Sequence, residues 1–155
     1  MSIEAALSAK QQERERLIQR ISQLLQADHR IVAAWLAGSV GRGEADAWSD
    51  VDLWVVVRDD AIEAVREGRQ QFVQVVGPPT LISEAPQNAP PGGAYLWAMY
   101  HGEHGPQHVD WNWLPQAGAH IPQATIVLFD RAGLPPANAP ARPRPEGEEL
   151  AAALT

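Results

Sequence analysis

Hydrophobic positions fall into helical and strand periods in an order that sketches the architecture. Leu17, Ile18, Ile21, Leu24 and Leu25 recur at three- and four-residue steps, with Arg14, Arg16, Arg20 and Gln23 opposite, so the first segment reads as an amphipathic helix. Asp28-His29 breaks that pattern, and Ile31 to Leu36 follows as a short continuous apolar run, the mark of a strand covered on both faces. Val51 to Val57 (VDLWVVV) is the clearest strand in the chain. Asp60 with Glu63 has the spacing of a capping box, and it predicts one helix running to about Phe72 on a stripe of Ile62, Val65 and Phe72. Gly77-Pro78-Pro79 is a breaker. Thr80–Ser83, Ala94–His101, His108–Leu114 and Ile126–Phe129 then read as strands. The second and third of these flank Gly102-Glu103-His104-Gly105-Pro106, as a hairpin would.

Five prolines between Gly133 and Pro145 predict a stiff linker, followed by EGEELAAALT as the first turns of a helix. The expected organisation is a domain over residues 1–131 and a linker with the start of a helical region over 132–155. The fold class expected is α/β: a mixed, mostly antiparallel twisted sheet with helices packed chiefly on one face.

Composition narrows the chemistry. The 155 residues contain no cysteine, which excludes disulfides, thiol catalysis and thiolate zinc sites. The N-terminus lacks an apolar core of signal-peptide length, and the longest apolar run, Ile31–Ala37, is far short of the ~20 residues of a membrane span. A cytoplasmic protein is the expectation. Twelve basic against nineteen acidic residues, net −7, disfavour duplex nucleic acid as a partner.

The chemistry concentrates in AWLAGSVGRGEADAWSDVDLWVVV, Ala34–Val57. On the second strand Asp50 and Asp52 project from one face, their Cα atoms ~6.7 Å apart. Two adjacent anions favour a hard divalent cation such as Mg²⁺, which binds through few carboxylates plus substrate phosphate oxygens. Where the first strand ends, Gly38 admits a bulky anion, Ser39 offers a hydroxyl, and the following amides are free donors of a helix start. Arg42 adds a cation suited to phosphate. A phosphate cradle beside a metal-ligand pair is what metal-assisted phosphoryl or nucleotidyl transfer requires.

The set Gly38-Ser39, Arg42-Gly43 and Ser49-Asp50-Val51-Asp52-Leu53 resembles the DNA polymerase beta-type nucleotidyltransferase superfamily. Within it the chain looks most like the aminoglycoside nucleotidyltransferase-like and minimal nucleotidyltransferases. The resemblance implies Mg²⁺ held by Asp50 and Asp52, and ATP or another nucleoside triphosphate bound at Gly38, Ser39, Arg42 and Ser49. It also implies transfer of a nucleotide to a small-molecule hydroxyl, such as that of an aminoglycoside, with release of pyrophosphate. A toxin-neutralising module that contacts or nucleotidylates a partner protein is the alternative. The family's third carboxylate matches Asp110 in QHVDWNWLP, where alternation groups it with His108 and Asn112 against Val109, Trp111 and Trp113. Asp130 is the rival; it ends a strand before Arg131, an arrangement that reads as a structural ion pair. His101, His104 and His108 sit at or near a turn and read as surface histidines, with His108 falling beside the site. Trp48 is the aromatic best placed to stack on a substrate. Such enzymes continue into a C-terminal helical domain that helps form the acceptor site, so that domain or a partner protein is expected.

Overall fold

The computed structural model describes residues 2–137. Six strands form one sheet in the order β3-β4-β5-β2-β1-β6. They are β1 (Ile31–Ala37), β2 (Val51–Val57), β3 (Leu81–Ser83), β4 (Ala94–Tyr100), β5 (Gln107–Pro115) and β6 (Ile126–Asp130). Every neighbouring pair is antiparallel except β2 and β5, which run parallel in register Val51↔Val109 through Val57↔Pro115. The expected mixed, mostly antiparallel sheet is therefore the one that forms.

Helix α1 (Ile3–Gln26) starts at Ser2, whose Oγ accepts from the Ala5 amide. It buries Ile21 and Leu25 against Leu36, Leu53, Val55 and Trp111 on one face of the sheet. The one-turn α2 (Gly38–Gly41), α3 (Ile62–Glu67) and α4 (Arg69–Phe72) complete the α-helices among the described residues. Val65 and Phe72 pack on the same face as α1, with Phe72 edge-on to both Trp111 and Trp113. The other face carries a smaller cluster of Ala33, Trp35, Val56 and Ala119. A bulge between Ile31 and Ala33 lets Ile31 join the helix-side core although Ala33 and Trp35 point away from it.

Three local expectations are corrected. Asp60 and Glu63 form no capping box: Asp60 pairs with Arg58 and Glu63 with Arg66, and the helix begins after Ala61 without a side-chain cap. The Ile62–Phe72 stretch is two helices, because Gly68 interrupts it before a 3₁₀ turn over Val73–Val76. Asp130 and Arg131 form no ion pair. Asp130 accepts from the Ala132 and Leu134 amides, while Arg131 donates to the carbonyls of Gln26, Asp28 and Ile31. Two backbone bonds dock the start of the proline-rich stretch on Ile121, from Ile121 N to Pro135 O and from Ala137 N to Ile121 O. The helical start expected after residue 145 lies outside the described residues.

Candidate active site

The site forms where β1 ends and β2 and β5 begin. Chain order makes this junction: β1 leads into the Gly38 turn, and β2 returns antiparallel so that Ala37 faces Asp52. The parallel pairing then sets Asp52 beside Asp110. Gly38 has φ +63°, and a Cβ there would stand 3.3 Å from the Asp52 Cβ. Glycine is thus required both for the turn and for the close approach of its backbone to a carboxylate.

An open cleft of about 460 Å³ is lined by Gly38, Ser39, Asp50, Asp52, Asn88, Tyr95, Asp110 and Asn112. It gathers five of the residues singled out from sequence: Gly38, Ser39, Asp50, Asp52 and Asp110. Two others stand apart from it. Arg42 donates from Nε to Glu44 at 3.1 Å, and its side chain is half-exposed. The Ser49 hydroxyl closes the preceding loop, accepting from the Asp46 amide and donating to the Asp46 carboxylate. Trp48 is 72% exposed, with the Lys10 ammonium 5.9 Å from its ring centre.

The loop is also fastened from α1. Buried Arg14 donates to the carbonyls of Asp46 (2.5 Å) and Ser49 (3.1 Å). Nothing in the loop's own sequence announces this, because the donor lies 35 residues away from Ser49. Tyr95 and Asn88 carry no mark in the sequence either. Tyr95 reaches the site because β4 pairs with β5 in register Tyr95↔Asn112 and Trp97↔Asp110.

The carboxylates have different surroundings. Asp52 Oδ1 accepts from the Trp54 indole N–H (3.1 Å) and from Asn112 Nδ2 (3.2 Å). Burial nevertheless raises its pKa above the usual carboxylate range, and the charge of Asp110 adds to the rise. Asp110 accepts a hydrogen bond from the Tyr95 hydroxyl. Its pKa is also raised, chiefly by burial and further by Asp50, against the lowering effect of Tyr95. Tyr95 is held protonated by burial and by Asp110. Asp50 is more exposed, with His108 Nδ1 3.1 Å from its Oδ1.

An all-oxygen donor set that repels itself fits a hard divalent cation. The three aspartates do not form a closed cage for one ion. Among the described residues, the trio whose ligand atoms all lie within 4.8 Å of one another is Glu13, Glu103 and His104, where α1 meets the β4–β5 turn. There the Glu13 carboxylate accepts from both the backbone N–H and the Nδ1 side of His104, tying the hairpin to α1.

Residues 14–82 match the family model of the nucleotidyltransferase domain. No curated protein matches the chain. The matched stretch holds α1 from Arg14, the Gly38-Ser39 turn, Asp50 and Asp52, and it ends in β3, before Asp110. Over that stretch, less than half of the chain, the match supports the likeness to the DNA polymerase beta-type nucleotidyltransferase superfamily.

Proposed function

We propose that this domain transfers a nucleoside monophosphate from a nucleoside triphosphate, ATP in the first instance, to a hydroxyl of a small molecule. The observation that carries the reading is the register Asp52↔Asp110 beside the Gly38 turn, with Asp50 and Ser39 opening on the same cleft. The Gly38-Ser39 backbone and the Ser39 hydroxyl bind the β- and γ-phosphates, since the first amides of a helical turn have no partner within it. Asp50, Asp52 and Asp110 would hold Mg²⁺, which supplies charge neutralisation on the phosphates and acidifies the acceptor hydroxyl. Trp54 and Asn112 fix the Asp52 carboxylate by donating to one of its oxygens, so its other oxygen keeps a defined direction.

The acceptor oxygen forms a bond to the α-phosphorus while the bond from that phosphorus to the bridging oxygen of the β-phosphate breaks. Pyrophosphate leaves with that electron pair. The acceptor's proton passes to Asp110. Tyr95 keeps the Asp110 carboxylate oriented.

The test is calorimetric titration of ATP with Mg²⁺ and with EDTA, together with pyrophosphate release over a panel of hydroxylated acceptors. Binding that requires Mg²⁺ and weakens in Ser39→Ala supports the reading. Equal ATP affinity with and without the metal overturns it.

A further inference from the structure

Beyond the carboxylates the same sheet face becomes apolar. Strand alternation sets Trp54 two residues past Asp52 and Leu114 two residues past Asn112, on the face that carries the site. Ala37 immediately precedes Gly38, and Pro90 and Pro91 follow Asn88 closely. These residues open into a pocket of about 550 Å³, lined chiefly by Trp35, Trp54, Pro91, Leu114, Pro115 and Ala119. Its floor is the half-buried indole of Trp54, backed by buried Trp35, with ring centres 6.3 Å apart and planes within 3° of parallel. The link to the chemistry is direct, because the Trp54 indole N–H donates to Asp52.

We infer that this pocket receives the body of the acceptor, and that the acceptor is a flat, uncharged, largely hydrocarbon ring system bearing a hydroxyl. The inference rests on the nucleotidyl-transfer reading and narrows its substrate class. Three properties of the lining carry it. The volume suits a small organic molecule. No aspartate or glutamate lines the pocket, so the ammonium groups of a polycationic aminosugar would be buried there without partners. The lining also has few polar side chains: His120 is its one polar side chain apart from the two indole N–H groups, and Trp54's is committed to Asp52. A nucleobase would enter with its amines and ring nitrogens poorly matched, whereas a hydrocarbon-rich ring would not. The adjoining cleft then meets the hydroxyl of a ring seated on the Trp54 indole.

The test uses the full 155-residue chain and naphthalene-2-methanol as probe, with kanamycin as the polycationic comparison. Saturation-transfer NMR reads probe binding, and calorimetry reads Mg·ATP binding in parallel. The variant is Ala117→Arg, which puts a charge into the pocket from an exposed loop position. The expected result is that the neutral alcohol binds beside saturating Mg·ATP and kanamycin does not. Ala117→Arg should weaken the alcohol roughly tenfold or more while ATP affinity stays within about twofold. The inference is overturned if the alcohol fails to bind, or if Ala117→Arg leaves its binding unchanged. It is equally overturned if adenosine displaces the alcohol while Ala117→Arg weakens ATP, since the base would then occupy the pocket. Failure of the nucleotidyl-transfer reading shows separately, as absence of Mg²⁺-dependent ATP binding in the unaltered chain.

Discussion

Replacing Asp52 with asparagine should abolish turnover and at the same time stabilise the fold. Asp52 and Asp110 face each other on adjacent strands, and burial together with neighbouring carboxylate charge holds both pKa values above normal. Neighbouring strands put the two charges about 5 Å apart, where their repulsion is about 1 kcal/mol in water and about 3 kcal/mol at a partly buried site. Both groups are partly exposed, so the lower figure is the better guide. The asparagine side chain keeps an oxygen to accept from Trp54 and Asn112, so the substitution removes charge while retaining both hydrogen bonds. A gain of about 1 kcal/mol corresponds to a Tm rise of roughly 2–4 °C for a domain of this size. The pH dependence has a definite sign. Folding raises these two pKa values, so the folded chain retains protons that the unfolded chain releases. Their contribution to stability is fully present below the unfolded value near 3.8 and is lost as pH rises through the higher folded values. The stability difference between Asp52→Asn and the parent should therefore be widest at neutral pH and should close as the pH falls towards about 4. Calorimetric melts of both proteins between about pH 4 and 8 make the measurement. An Asp52→Asn variant that melts lower than the parent at neutral pH would refute the electrostatic argument.

Tyr95→Phe removes a hydrogen bond that lowers the Asp110 pKa, so the acid limb of kcat/KM should move to higher pH; an unmoved limb would deny Tyr95 that role. Arg14→Ala loses two charged hydrogen bonds to the 46–49 loop and should cost about 2–3 kcal/mol, read as a melting point lower by roughly 5–10 °C. Arg14→Lys should recover part of that loss, and a full recovery would show that the two-pronged geometry is unimportant. Gly38→Ala carries about 1–2 kcal/mol of backbone strain and presses on Asp52, so activity should fall far more than stability; comparable falls in both would point to a purely structural glycine.

The parts legible in the sequence were those set by period and by local order. Alternation along SDVDLWVVV and QHVDWNWLP put Asp50, Asp52 and Asp110 on polar faces, and they do open on one cleft. What period cannot supply is a partner distant in the chain. Tyr95 comes to Asp110 through the β4–β5 register, and Arg14 comes to the motif loop from α1. The capping box failed because Arg58 and Arg66 offered Asp60 and Glu63 charged partners within two or three residues. The Asp130–Arg131 expectation failed for the opposite reason, since free backbone groups in the neighbouring turns satisfied both side chains. Spacing proposed Arg42 for phosphate, yet Glu44, two residues on, is the group it meets. The pocket floored by Trp54 was not legible, because a tryptophan by itself reads as core.

The parallel β2–β5 pair also bears on how the site comes into being. Asp52 and Asp110 become neighbours after a connection containing α3, α4, β3 and β4 has closed. The antiparallel β1–β2 pair needs a far shorter excursion, over residues 38–50, to form. Loop-closure entropy favours that short pairing early in folding and delays the long one. The Gly38 turn and its first two carboxylates can thus be assembled in a chain that has no third carboxylate in place. Loss of the β3-β4-β5 half by local unfolding would take Asp110 out of the cleft while leaving α1, β1 and β2 protected. Amide exchange at Val109 to Trp113, rather than at Val51 to Val57, is where the lifetime of the three-carboxylate cleft would be read.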